Sequence, residues 1–179
     1  MKTIEQNLTQ YAAYHRDRRN IATHMVGVPM ILFAIVLALA IVAIPALGVV
    51  VTLAAIVCIA TCLYYLRLDF VLGVTLAVVL FLMCAGASEI TARLSTAAVL
   101  GVAFAVFTAG WVLQFLGHHF EGMKPAFVDD AMQLLIGPLF VCAEALFALG
   151  AKAELKRYIE ERVGPTVARR APPAMTSRQ

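Results

Sequence analysis

The sequence predicts an all-α fold: a polytopic helical membrane protein with four to five transmembrane helices, preceded by an interfacial amphipathic helix. Three observations predict it. Hydrophobic residues fill 62% of the 179 positions and charged residues only 14%, where soluble domains carry about 25% charged residues; mean hydropathy is +0.88. The apolar residues are gathered into runs, several of which reach the ~20 residues a helix needs to cross a bilayer core. All four histidines collect in two short polar stretches, Tyr11–His24 and Trp111–Ala126.

Residues 1–150 read as a single membrane-embedded domain, and 151–179 as a basic amphipathic helix followed by a disordered tail. The net charge of +3 is small, and no basic surface with aromatic platforms is present, which excludes a nucleic-acid partner. Basic residues sit mainly in the N-terminal stretch and beyond residue 150, as expected of segments lying against anionic lipid headgroups. Membrane lipids are therefore expected partners; the oligomeric state is left open. Cys58, Cys62, Cys84 and Cys142 all fall inside apolar runs. They read as small hydrophobes rather than as a disulfide framework. The first 24 residues have no apolar core, so no cleavable signal peptide is expected.

Taken in order, residues 3–24 read as one amphipathic surface helix, with Leu8, Tyr11, Ala12 and His15 at helical spacing and Arg16, Arg18 and Arg19 toward headgroups. The first span is expected over Val26–Ile44, with Pro29 in its opening turn, where proline costs least. A very short connection at Pro45 leads to a second span over Ala46–Leu66. The third is Phe70–Ala87, ended by a polar loop at Ser88, Glu89 and Arg93, and the fourth is Ser95–Gly117. Asp129 and Asp130 look like caps for a last apolar segment, Ala131–Leu149. Glu144 would be costly facing lipid, and a fifth full crossing would oppose the positive-inside rule. A segment broken at Pro138 that re-enters or lies shallow is therefore favoured.

His24 precedes the first span and His118 follows the fourth. Four crossings return the chain to the same membrane side, the precondition for one shared site. Imidazole ligates iron, copper, zinc or nickel and titrates near neutral pH. His15, His24, His118 and His119 are the candidate ligands, and Glu121 is the nearest carboxylate. His15 and His24 are nine residues apart, about 180° on an unbroken helix, so sharing an ion requires the chain to bend between them. Asn20 lies four before His24 and could orient it. Arg16, Arg19 and Lys124 are candidates for binding a substrate carboxylate or a phosphate, with snorkelling to lipid phosphates as the alternative.

Tyr14-His15, Asn20 and His24, followed by Gly27 and Pro29, resemble the N-terminal pattern of the Mpo-one-like fatty acid dioxygenases. Trp111, Gln114-Phe115, Gly117-His118, Glu121-Gly122, Pro125-Ala126 and Asp129 resemble that family's second signature. Further matches run through Gln133, Pro138, Phe140, Glu144 and Leu149-Gly150, so the likeness spans about residues 8–150. Its fungal members are endoplasmic-reticulum enzymes that use ferrous iron and O₂ to shorten 2-hydroxy fatty acids by one carbon, a step of α-oxidation in phytosphingosine breakdown. The resemblance implies Fe(II) as cofactor, a 2-hydroxy fatty acid and O₂ as substrates, and His15, His24 and His118 as iron ligands. His119 stands beside them as a fourth candidate. A compact chain of this kind is expected in a bacterial inner membrane with its histidine site on the cytoplasmic face. A di-iron hydroxylase or desaturase needs around eight histidines, against four here. A non-enzymatic transporter or lipid-binding scaffold is the remaining rival, and it predicts no bound iron.

Overall fold

A short helix, α1 (Ile4–Ala12), starts where Thr3 and Gln6 cap one another. In the computed structural model, which describes residues 2–46 and 49–168, this helix does not run on to His24. It stops at Ala12, and after a loop α2 (Arg18–Ala40) begins with Asp17 as its N-cap. The expected single helix over 3–24 is thus two helices separated by a bend. The short aspartate side chain, which accepts from the Arg19 N–H, explains the restart. Because α2 starts eight residues before Val26, Pro29 lies in the helix interior rather than in its first turn.

The second span also differs from expectation. An antiparallel ribbon forms between β1 (Ala43–Ala46) and β2 (Val49–Thr52), and α3 (Leu53–Leu68) follows with Thr52 as cap. Pro45 disfavours a helix interior, and the run Val49-Val50-Val51-Thr52 is β-branched throughout, which favours strand. Helix α4 (Phe70–Arg93) runs through Ser88, Glu89 and Arg93. The expected polar loop is helix, supported by an i,i+4 Glu89–Arg93 pair. Helix α5 (Thr96–Glu121) is capped by Ser95 and ends at Gly122, whose φ of 70° suits glycine.

Three helices, α2, α4 and α5, are long and apolar enough to cross a membrane; α3 is apolar but has 16 residues. Among the described residues the chain is all-α apart from one ribbon, and it is multi-pass. Helices α2 and α5 run antiparallel and very close. A Cβ at Gly117 would collide with Thr23 and Asn20, and one at Gly110 would meet Ile31 and the Gly27 carbonyl; small residues let backbones approach in this way.

Helix α6 (Gln133–Ala148) follows a 3₁₀ turn at Ala126–Val128. Asp130 accepts from the Met132 N–H, whereas Asp129 pairs with Lys124 and Tyr14 and caps nothing. The helix is not broken at Pro138. The break comes after it, where α6 turns by 113° into α7 (Ala153–Val163). Both ends of α6 are tied to the histidine side, through Asp130 to Gln10 and through Lys152 to Asp69. Helix α7 packs Leu155 and Ile159 into the same core as Ile4, Leu8 and Phe147, so residues near both termini gather at one end. The expected tail at 169–179 lies outside the described residues.

Candidate metal centre

The bend between α1 and α2 is what makes a site. Tyr14 and His15 close a turn onto the carbonyls of Tyr11 and Ala12. The Arg16 and Asp17 N–H groups then donate to Glu121 Oε2 at 3.0 and 2.8 Å, and Asn20 Nδ2 reaches the same oxygen at 3.1 Å. Glu121, at the end of α5 and 2% exposed, thus holds the loop against the start of α2. The bend points His15 back toward His24.

His15, His24 and His118 converge, all buried, with one nitrogen of each within 4.8 Å of the others. Their ring centroids form a nearly equilateral triangle with sides of 4.5, 4.9 and 5.0 Å. His15 Nδ1 lies 2.8 Å from the Tyr11 carbonyl and His24 Nδ1 lies 2.9 Å from the Asn20 carbonyl. A carbonyl only accepts, so both Nδ1 atoms carry the proton and both Nε2 atoms present lone pairs. Those two Nε2 atoms stand 3.1 Å apart. Bare lone pairs facing each other repel; a cation between them removes the conflict. Two nitrogens about 2.1 Å from one ion and at right angles to it would be about 3.0 Å apart. His118, also buried, adds a third converging imidazole. The donor set fits a transition metal with open positions.

Burial, reinforced by the neighbouring His24, His118 and Arg16, lowers the His15 pKa well below the usual histidine range. The ring is therefore neutral, as a ligand must be. Tyr11 stacks on it at 4.1 Å between centroids, and Phe140 covers the Tyr11 ring at 4.8 Å.

The other sequence candidates lie elsewhere. His119 is exposed and points about 100° round α5 from His118. Arg16 donates to the Ala12, His15 and Gly164 carbonyls, Arg19 pairs with Asp17 and Lys124 pairs with Asp129. Asn20 is buried and binds Glu121 and the Tyr14 carbonyl. None of these lines the cavity described next.

From the histidines a cavity of about 280 Å³ extends between α2, α5 and α6. Its walls come from one face of α2 (His24, Val28, Ile31, Ile35) and one face of α5 (Phe107, Trp111, Gln114, His118), with Gln133, Leu134 and Pro138 from α6. It is polar at the histidine end and apolar beyond. Ile35, Phe107 and Leu134 are exposed on the lipid-facing flank, so the cavity opens sideways.

The family described as 2-hydroxy-palmitic acid dioxygenase Mpo1-like matches residues 1–149. This chain belongs to the Mpo1-like family. It is 32% identical over 160 residues to the 2-hydroxy-palmitic acid dioxygenase MPO1 of Saccharomyces cerevisiae, covering 88% of this chain and 87% of the relative. No solved structure matches it. The sequence named these three histidines of the Mpo1-like chain together with His119 as candidate ligands, but it assigned no role to Tyr11, Gln114 or Gln133. For two of them the signal was position: Gln114 lies four residues before His118 on one face of α5, and Tyr11 lies four before His15.

Proposed function

We propose that this chain is an Fe(II)- and O₂-dependent dioxygenase that shortens 2-hydroxy fatty acids by one carbon. The observation that carries the reading is the pair of His15 and His24 Nε2 atoms facing each other at 3.1 Å with both Nδ1 atoms committed to carbonyls. The yeast relative's name supplies the substrate class. The reaction balances as a 2-hydroxy acid and O₂ giving the next shorter carboxylic acid, carbon dioxide and water. The C1–C2 bond breaks, C2 becomes the new carboxyl carbon, and the substrate itself is the reductant.

His15, His24 and His118 would hold the ion. Ferrous iron there would supply O₂ activation and a chelating hold on the carboxylate and hydroxyl of the acid. The chain's own residues do the rest. The Tyr11 and Asn20 carbonyls fix the ring orientations of His15 and His24, the outer support on which ligand placement depends. Glu121 acts as a positioning residue by holding the loop that carries His15. Tyr11 and Phe140 exclude water from one side of the cluster. The apolar walls take the acyl chain, which enters from the bilayer past Ile35, Phe107 and Leu134. Arg18 and Arg19 lie at the histidine end, as do the basic residues of α7, which is tied there through Gly164 and Val167. That clustering supports a cytoplasmic face for the site, and a bacterial inner membrane is the setting we propose for it.

Metal analysis of the detergent-purified full chain tests the reading. Stoichiometric iron is expected, lost in both His15→Ala and His118→Ala while thermal unfolding still shows a folded protein. Absence of any transition metal after anaerobic ferrous loading would sink it.

A further inference from the structure

We infer that Gln114 and Gln133 form the subsite that reads the head of the substrate, Gln114 donating to the carboxylate and Gln133 accepting from the 2-hydroxyl. The inference rests on the dioxygenase reading and extends it to residues that no comparison assigns. Both side chains line the cavity beside His24 and His118. Both are buried, at 6% and 2% exposure, and each carries a buried polar atom without a partner, Gln114 Nε2 and Gln133 Oε1. A buried donor and a buried acceptor left unpaired at the polar end of an apolar cavity call for a ligand with the opposite groups.

The geometry fixes which group each presents. Gln133 Nε2 donates to Asp130 Oδ2 at 3.3 Å, which leaves its buried carbonyl oxygen as the group without a partner. Gln114 precedes His118 by one turn, about 6 Å along the helix, and its Nε2 lies over Gly27, where any Cβ would strike it. A 2-hydroxy acid offers the matching pair on adjacent carbons: a carboxylate that accepts and a hydroxyl that donates. A plain fatty acid lacks the hydroxyl and would leave Gln133 Oε1 unpaired on binding. The two amides therefore select for the 2-hydroxy group. The cations expected for this task from the sequence, Arg16, Arg19 and Lys124, are engaged by backbone carbonyls, Asp17 and Asp129 respectively.

Trp111 is the chain's single tryptophan and lines the same cavity, so its fluorescence reports occupancy. The full chain, supplied with ferrous iron under nitrogen in detergent, is titrated with 2-hydroxyhexadecanoate, hexadecanoate and 2-methoxyhexadecanoate. The hydroxy acid should bind about tenfold more tightly than the plain acid, a difference of about 1.4 kcal/mol. The methoxy acid, which cannot donate, should bind no better than the plain acid. Gln133→Met should lower the preference to what the metal's hold on the hydroxyl supplies, and Gln114→Met should weaken both acids alike, with iron content unchanged in each. A methoxy acid that binds like the hydroxy acid, or a preference undiminished in Gln133→Met, overturns the inference and needs no assumption about turnover. Oxygen-dependent formation of the shortened acid is scored separately. Product with an unchanged preference in Gln133→Met would discard this subsite and keep the dioxygenase reading. Preference lowered as expected, but with no product from the unmodified chain, would do the reverse.

Discussion

Two antiparallel helix pairs, α2/α5 and α3/α4, are built with the same devices and come to different ends. Each pair closes on a glycine. Gly73 of α4 lies where a Cβ would come within 2.7 Å of the Leu66 backbone, and Gly117 of α5 where it would strike Thr23 and Asn20 and come 3.2 Å from His24 Nδ1. Each pair also ends on a carboxylate that accepts backbone N–H groups. Asp69 takes Leu72 of its own turn, whereas Glu121 takes Arg16 and Asp17, more than a hundred residues away in the chain. In α3/α4 these contacts are local and serve a tight turn. In α2/α5 they reach side chains and a loop that bear imidazoles. Close packing thus becomes a site only where the buried carboxylate captures a segment from elsewhere in the chain.

The largest break in that comparison should come at Glu121. Glu121→Ala leaves two backbone N–H groups and Asn20 without their buried acceptor, a cost of about 3 kcal/mol or more. It should also weaken metal binding about 10–100-fold, the usual effect of losing a group that orients a ligand. Thermal unfolding and metal titration in detergent measure both, with Glu121→Gln retaining part of each. A Glu121→Ala protein with unaltered metal affinity would refute the role given to the loop.

The glycines sharpen the contrast. Gly117→Ala and Gly73→Ala each force a methyl into a filled contact, which costs about 1–3 kcal/mol. Only Gly117→Ala should lower metal affinity, because its methyl crowds Asn20 and His24. Equal metal loss in both variants would mean that the site depends on general packing rather than on the α2/α5 crossing.

The same contrast explains what could be read from the chain before its fold was known. Local signals were legible: the apolar runs, the collection of histidines in two stretches, and the need for a bend between His15 and His24. An expected count of four crossings put both stretches on one side without any contact information, and the three buried histidines do converge. The bend itself was hidden, because Asp17 sits in an arginine-rich stretch that reads equally well as an amphipathic face. Ser88–Arg93 looked like a loop because polarity marks the end of an apolar run, not the end of a helix. Pro138 looked like a break because proline removes one helical bond, but α6 continues through it, and Tyr65 Oη donates to the nearby Leu135 carbonyl. Gln114 and Gln133 could not be recognised from composition, since an unpartnered amide is a property of the packed structure.

The smallest effect should come from the α3/α4 side. Lys152 Nζ binds Asp69 Oδ2 at 2.6 Å, with side chains 24% and 13% exposed, and ties the turn after α6 to the α3/α4 junction. Burial pushes the Asp69 carboxyl up, but hydrogen bonds from Leu72 and Lys152 outweigh it and leave its pKa below the usual carboxylate range. The unfolded chain therefore binds a proton there more readily than the folded one. The contribution to stability is complete above the unfolded pKa of about 3.9 and fades as pH falls through the lower folded value. Lys152→Met should cost about 0.5–1 kcal/mol at neutral pH, as a partly exposed pair does, and this cost should shrink on acidification. Metal affinity should not change. A Lys152→Met protein that loses metal would show that the turn following α6 supports the histidines as Glu121 does, and the distinction between the two helix pairs would fall.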